Sequence, residues 1–282
     1  MKLKILGFAL LAVCVCAVCC MCGSDSKTPD YEFPDGPDPD PDPQPGDYPA
    51  GLTVTEFADD LGGGKQCLGF VAVADLKANP KLRFNAVHLP QQKTPSRIHA
   101  EFASANRGTA CVTTNAGYWW AGNSLSLLVT GGAVKSIENQ TVTRNNQTVY
   151  PVRSSFGQMA SGGFETHWIY CVLDDGNKPY AFPSALDNDE RTNTYMSAPP
   201  TSKTPGAALW TPQEAVGGGP MLVREGKNVA VENYWKEVFD GGGSSTMVGS
   251  DGKVLNRPSD TGSAEVIVER KISTAVVISE VN

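Results

Sequence analysis

Several residue patterns that identify common enzyme classes are missing from this chain. The three histidines, His88, His99 and His167, stand apart without the spacing of metal ligands. Residues 61–65 read Leu-Gly-Gly-Gly-Lys, which lacks the spacing and the Ser or Thr of a phosphate-binding P-loop. No Gly-x-Ser-x-Gly elbow of a serine hydrolase occurs either. The sequence therefore predicts neither a metal nor a cofactor.

An excess of basic charge is also missing. The formal net charge is −7, and most of it falls in an Asp- and Pro-rich stretch before residue 50. The remainder is close to neutral and carries no stripe of Lys and Arg, which argues against a nucleic-acid partner. Cysteine is scarce there too: only Cys67, Cys111 and Cys171 occur, and none forms a Cys-x-x-Cys pair. An exported chain could form one disulfide from them, but the sequence does not select the pair.

Long apolar runs are confined to the N-terminus. Lys2 and Lys4 precede an apolar run over residues 5–21, which is short for a membrane span and typical of an export signal over residues 1–22. The cysteines at its end, followed by Gly-Ser-Asp-Ser, resemble a bacterial lipoprotein processing site. The alternative lipidated residues are Cys19, Cys20 and Cys22. We therefore expect an exported lipoprotein, anchored to a membrane in the periplasm or at the cell surface, and a plain secretory signal is the alternative.

Residues 23–49 repeat Asp-Pro and carry most of the acidic charge. Proline fixes the backbone φ angle and like charges repel, so this segment is predicted to be an extended, unpacked tether. The folded domain is then expected over residues 50–282.

The domain is predicted to be a single, β-rich α+β domain of mixed sheets with few helices and a cleft formed by strand-end loops. Short apolar or alternating runs predict strands at residues 68–74, 82–89, 110–115, 168–173, 220–223 and 274–279. Turn residues predict hairpins at 174–177, 224–227 and 250–253. One helix is expected from Thr94, a potential cap, to a stop at Gly108, and a second is expected to begin at Thr211-Pro212-Gln213-Glu214.

The most chemically specific motif is Asp-Gly-Gly-Gly-Ser-Ser-Thr at residues 240–246. Glycine permits a positive φ and close approach of the backbone, so the loop can turn its amides toward an anion such as a phosphate. Asp240 adds a carboxylate able to transfer a proton. The alternative is a tight turn between strands. The candidate substrate-binding residues of this loop are Gly241, Gly242, Gly243, Ser244 and Ser245.

Three other stretches carry candidate site residues. Asn115 ends a predicted strand and can both donate to and accept from a sugar hydroxyl, with Gly117 two residues further. Gly218 and Gly219 belong to a glycine run that enters the next predicted strand. The alternatives here are a turn backed by buried aromatics and a close-packed crossing of strand and loop. The two candidate anion-binding arginines are Arg153 and Arg257; a salt bridge or surface position is the alternative for the first.

Four of these blocks occur in an order that resembles the phosphodiester glycosidase domain family. They read Asn-Ala-Gly-Tyr-Trp, Gly-Gly-Gly-Pro-Met-Leu-Val, Asp-Gly-Gly-Gly-Ser-Ser-Thr-Met-Val and Asn-Arg-Pro-Ser-Asp. The likeness runs from about residue 68 to the C-terminus, and the tether and signal resemble exported Bacteroidetes members. In one place the chain departs from the family, because only residues 221–239 stand where members have a longer segment with a Pro-Arg-Thr-Ala-Ile-Gly block.

The resemblance implies hydrolysis of a sugar-1-phosphodiester, with a phosphorylated glycan or sugar phosphate as substrate. In that reading Asp240 is the general acid or base, Asn115 orients the sugar, and Arg153 or Arg257 holds the phosphate. The alternative is a tethered glycan- or phosphoglycan-binding surface lipoprotein that keeps the cleft without turnover, which the missing block favours.

Overall fold

The structure is a computed structural model that describes a defined part of the chain. The described residues are 47–62, 65–103, 107–120, 123–144, 146–186, 195–219, 221, 223–224, 227–228, 245–256, 258 and 267–281. The predicted signal segment and most of the predicted tether lie outside them. Within the described part, strands dominate and no helix is both long and apolar enough to cross a membrane.

The described elements are one α-helix, one short 3₁₀ turn and a series of strands. The helix is α1 (Pro95–Glu101) and the 3₁₀ turn covers Leu173–Asp175. The strands, in chain order, are β1 (Leu52–Gly62), β2 (Lys65–Ala74), β3 (Leu82–Lys93), β4 (Thr109–Asn115), β5 (Trp119–Trp120), β6 (Asn123–Ser124), β7 (Leu128–Thr130), β8 (Ala133–Ser136), β9 (Val142–Arg144), β10 (Gln147–Val149), β11 (Arg153–Gln158), β12 (Phe164–Val172), β13 (Lys178–Phe182), β14 (Ala208–Leu209), β15 (Glu214–Gly217), β16 (Val223–Arg224), β17 (Lys227–Asn228), β18 (Met247–Val248) and β19 (Ile272–Glu280).

A four-stranded sheet in the order β18-β4-β19-β3 is buried on both faces. Strand β19 shows why its sequence is almost continuously apolar, since alternate residues enter different clusters. Val276 and Ile278 pack with residues of the long β1–β2 hairpin, whereas Ala275 and Val277 pack beneath α1. Alternation of side chains along a strand produces this division.

A seven-stranded sheet in the order β14-β13-β12-β11-β15-β7-β8 forms the other half of the fold. Its strand β12 is also covered on both faces: Ile169 and Cys171 enter one apolar cluster, and Trp168 and Tyr170 enter another. All pairings between the described strands are antiparallel, where the sequence predicted mixed sheets. The prediction of a β-rich domain with few helices is confirmed.

Three phenylalanines join the two large sheets. Phe84 of β3 contacts Phe156 of β11 edge-on, with ring centroids 5.5 Å apart, and Phe164 of β12 in a similar way at 5.7 Å. Phe156 and Phe164 stack on each other at 5.2 Å. Aromatic pairs of this geometry contribute about 0.5–1.5 kcal/mol beyond the burial of their area. This contact holds the sheets against each other and so fixes the positions of the loops that leave them.

The second predicted helix is wrong. Glu214 begins strand β15, which lies between β11 and β7, and Ala215 is fully buried there. The Glu214 carboxylate accepts hydrogen bonds from the amides of Ala86 and Gly131 at 2.7 and 2.8 Å, so it ties the strand to its surroundings. Pairing on both edges outweighs the local capping signal of Thr-Pro-Gln-Glu.

Helix α1 forms as predicted at its start but ends earlier than expected. Thr94 occupies the N-cap position without a side-chain capping bond, and Glu269 instead accepts the Ser96 amide at 2.8 Å. The helix ends at Glu101, with Phe102 as its C-cap; Ala105 lies outside the described residues. The predicted hairpins all form: β12–β13, β16–β17 and the turn between Val248 and Val254.

Candidate functional site

Asn115 lies beside the last residue of the glycine motif. Strand β4 pairs with β18, with Thr114 opposite Met247, so the end of β4 meets the residues that lead into β18. The Thr246 amide donates to Asn115 Oδ1 at 3.1 Å. Two segments 131 residues apart therefore meet at one sheet edge. Since Oδ1 is occupied, the Nδ2 amide is the Asn115 group available to donate to a ligand.

Asn256 holds the same segment from the other side. Its Nδ2 donates to Ser245 O and its Oδ1 accepts the Met247 amide, both at 2.7 Å. The turn that carries Asn256 is closed by the Leu255 amide, which donates to Met247 O at 2.8 Å. The exit of the glycine motif is thus fixed by two asparagine side chains, and Ser245 is buried.

Gly117 is required by its contact with a second glycine. A Cβ atom on Gly117 would lie 2.4 Å from Gly217 O and 2.5 Å from Ser126 Cβ. The Ser126 hydroxyl also accepts the Tyr118 amide at 2.9 Å, which fixes the loop in this position. The loop after Asn115 therefore packs backbone against backbone on the end of β15.

Gly218 and Gly219 continue from β15 along the start of β11. The Gly218 amide donates to Ser154 O, and Gly219 O accepts from both the amide and the hydroxyl of Ser154, all at 2.9 Å. The Gly218 amide is therefore occupied, although the space beside its Cα is open. These bonds place the glycine run beside Arg153.

Arg153 is half-committed to internal partners. Its Nη1 donates to Leu125 O at 3.2 Å and to Gln140 Oε1 at 3.5 Å, and its guanidinium carbon lies 5.2 Å from the centre of the Tyr118 ring. Its side chain is 20% exposed. Among the described residues, Nη2 has no hydrogen-bond partner, so this edge of the guanidinium remains able to bind an anion.

Glu138 lies behind Arg153 and was not identified by the sequence. Its side chain is completely buried, and its Oε1 is 3.8 Å from Arg153 Nε, an ion-pair distance that is too long for a hydrogen bond. Within the described part of the chain, neither carboxylate oxygen has a hydrogen-bond partner of normal geometry. Burial raises the pKa of Glu138 to about 8, and the Arg153 guanidinium and the Leu127 amide only partly oppose that rise.

The structure brings together the described members of the predicted set, but part of that set lies beyond it. Asn115, Gly117, Gly218, Gly219, Arg153 and Ser245 are connected through the contacts above. Asp240, Gly241, Gly242, Gly243, Ser244 and Arg257 lie outside the described residues. Of these, Arg257 directly follows Asn256, whose side chain bonds the motif.

Asn256 and Glu138 are the residues that sequence reasoning missed. Asn256 carried a signal, because it opens the Asn-Arg-Pro-Ser-Asp block. Glu138 carried none, because its partner Arg153 lies in a different strand. Among the described side chains, no group of three or more His, Cys, Asp and Glu is arranged to hold a metal ion. Cys111 and Cys171 are buried free thiols, and the Cys67 side chain lies outside what the structure describes.

Comparison with known proteins gives one distant likeness. No protein-family model and no curated protein matches this chain. Among solved structures, it is similar to the zebrafish N-acetylglucosamine-1-phosphodiester alpha-N-acetylglucosaminidase catalytic domain auto-inhibited by pro-peptide. The TM-score is 0.46 and the identity 15%, over 83% of this chain and 85% of that chain. A likeness at this level assigns neither an activity nor any residue role to this chain.

Proposed function

We propose that this protein is an exported hydrolase that cleaves a sugar-1-phosphodiester. The observation that carries the proposal is the bond from the Thr246 amide to Asn115 Oδ1, because it joins two of the four sequence blocks at one edge. The contact of Gly117 with Gly217 brings the third block to the same place, and Asn256 brings the fourth. The four blocks are far apart in the chain, and the fold gathers them around one cleft of strand-end loops.

In this proposal the phosphodiester is held by donors on both sides of the cleft. The amides of residues 241–245 face one side of the phosphate, and Arg153 or Arg257 the other. The free Nη2 edge of Arg153 supports this role, since a planar guanidinium matches two phosphate oxygens. Donors aimed at the charge that develops in the transition state contribute about 10²–10³ in rate for each group.

Asp240 is assigned the proton transfer and Asn115 the orientation of the sugar. Water supplies a hydroxyl group to the sugar and a proton to the phosphate oxygen, so free sugar and a phosphomonoester are the products. A positioned acid or base contributes about 10²–10⁴ in rate. Asn115 suits orientation rather than proton transfer because an amide has no titratable proton in this range.

The test is release of free sugar from a sugar-1-phosphate diester by the wild type, Asp240→Asn and Asp47→Asn. Asp47 is exposed at the beginning of the domain, so its variant removes an equal charge and serves as the control. We expect Asp240→Asn to lose at least about 100-fold in rate and the control to retain the wild-type rate. Equal rates for all three proteins would remove Asp240 from the mechanism.

A second candidate is a tethered phosphoglycan-binding lipoprotein without turnover. The short stretch over residues 221–239 favours it, because the arginine of the family's longer segment has no counterpart there. A titration with a phosphorylated glycan beside the turnover assay separates the two functions. Binding without product supports the second candidate, whereas product release supports the first.

Export and lipid anchoring complete the proposal. The signal segment, the cysteines Cys19, Cys20 and Cys22, and the acidic tether would hold the domain away from a membrane surface. The intact mass of the mature protein, purified from membranes, tests this directly. A mass that begins at one of these cysteines with added acyl chains is expected, and an unmodified mature chain would contradict anchoring.

A further inference from the structure

Glu138 is the one completely buried carboxylate among the described acidic side chains, and it has no role in the proposed mechanism. The structure surrounds it with few compensating groups. Its Oε2 lies 2.9 Å from the position that a Gly217 Cβ would occupy, so the carboxylate is pressed against the end of β15. The Ser155 hydroxyl lies 3.2 Å from the same position and is also buried without a hydrogen-bond partner in the described part.

The charge of Glu138 acts mainly on Arg153. The distance of 3.8 Å between Oε1 and Nε makes this a close ion pair in a poorly solvated setting. In such a setting the interaction of two charges is several times stronger than in water. Arg153 is the member of the pair that reaches solvent, and its free edge faces outward beside Tyr118 and the glycine run.

We propose that Glu138 sets the charge that Arg153 presents to a bound phosphodiester, and so controls anion binding at the cleft. With the carboxyl protonated, the guanidinium is an uncompensated cation that attracts the anion. With the carboxylate ionised, the pair is neutral and the anion binds more weakly. Glu138 is thus a positioning residue that acts through Arg153. The inference rests on the proposed function in placing Arg153 against the phosphate.

Other titratable groups around Glu138 do not change charge in the same range. Cys171 packs on it through the bond from the Glu138 amide to Sγ at 3.2 Å, and burial raises the pKa of this thiol to about 12. Tyr170, on the same strand β12, has its pKa raised to about 12 by burial as well. Ser155 and the Gly217 backbone, on β11 and β15, are neutral. Near pH 8, Glu138 is therefore the group that titrates beside Arg153.

The test measures the affinity of the folded domain for sulfate, which keeps its two negative charges across this pH range. Calorimetric titrations at pH 6.5 and 9.5, at constant ionic strength, are compared for the wild type, Glu138→Gln, Arg153→Gln and Glu56→Gln. Glu56 is exposed on β1, so its variant removes the same formal charge from a surface position and is the matched control.

We expect wild-type sulfate affinity to fall about tenfold between the two pH values, within the usual range for coupled sites. Glu138→Gln should bind equally well at both values, because the amide stays neutral. Glu56→Gln should behave as the wild type, and Arg153→Gln should lose binding at both values. A pH-independent affinity of the wild type, an unchanged pH dependence in Glu138→Gln, or sulfate binding that survives in Arg153→Gln would each overturn the proposal.

A second readout needs no variant at position 138. Coupling is reciprocal, so saturating sulfate should raise the pKa of the Glu138 carboxyl, observed by carbon NMR, by about one unit. An unmoved pKa would show that the buried pair is only structural. Failure of this proposal is distinguishable from failure of the proposed function. Coupled sulfate binding without sugar release would reject the hydrolase alone, and sugar release with pH-independent sulfate affinity would reject the charge control alone.

Discussion

The two sheet edges that meet at the candidate site treat polar groups in opposite ways. At the edge of the four-stranded sheet, Asn115 and Asn256 are neutral, and their bonds fix the exit of the glycine motif. At the edge of the seven-stranded sheet, Glu138 and Arg153 carry titratable charge, and both carboxylate oxygens lack hydrogen bonds among the described residues. The first edge is built for position and the second for charge. A buried carboxylate left without hydrogen bonds costs stability, which suggests a functional reason for keeping it.

Gly117→Ala should have the largest effect, because Gly117 is where the two edges touch. The added methyl would meet the Gly217 carbonyl at 2.4 Å, and neither backbone can move without shifting a strand end. We expect a loss of about 3 kcal/mol in the free energy of unfolding. Urea denaturation measures it. Gly218→Ala is the control, since the space beside Gly218 is open; equal losses for both variants would disprove the close contact.

Asn115→Ala tests the neutral edge through activity. It removes the acceptor of the Thr246 amide and the free Nδ2 donor, so both the loop and the sugar lose a partner. We expect about a 100-fold loss in kcat/KM for a sugar-1-phosphate diester. Asn115→Asp should restore the bond to Thr246 without the donor, and recovery of full activity in that variant would show that Nδ2 does not contact substrate.

Asn256→Ala should destabilise the loop exit by a smaller amount. The change leaves Ser245 O and the Met247 amide without their partners in a buried position. We expect a loss of about 2 kcal/mol in the free energy of unfolding. Thermal denaturation against the wild type measures it. An unchanged melting temperature would mean that the rest of the hairpin holds the loop by itself.

The pH dependence of stability should reveal the charged edge, with the smallest effect per step. Burial raises the pKa of Glu138 from its ordinary value of 4.5 to about 8, so the folded state binds more protons than the unfolded state between these values. This contribution to stability is greatest below pH 4.5, falls as the pH rises, and levels off above pH 8. The slope is at most about 1.4 kcal/mol per pH unit.

Glu138→Gln should remove this component of the pH dependence. Denaturant unfolding of the wild type and the variant at pH 5, 6.5 and 8 gives the comparison. We expect the difference between the two proteins to shift in favour of the variant as the pH rises. A difference that stays constant over this range would contradict the raised pKa.

The sequence predicted the elements of this fold better than its long-range partnerships. Alternating apolar residues located β3, β4 and β19 because side-chain alternation is a local property. The helix predicted at Thr211 failed because Glu214 pairs with strands on both sides, which no local pattern reveals. Asn115 was found as a strand-end residue. Glu138 was not, because its meeting with Arg153 depends on where β11 lies between β12 and β15.

A double-mutant cycle of Asn115→Ala and Asp240→Asn tests most directly whether the glycine motif and the strand end form one site. Sugar release from a sugar-1-phosphate diester is measured for the wild type, both single variants and the double variant. Residues that act on one bound substrate lose rate non-additively, so the double variant should lose clearly less than the product of the two single losses. Losses that multiply, or single variants as active as the wild type, would contradict a common site.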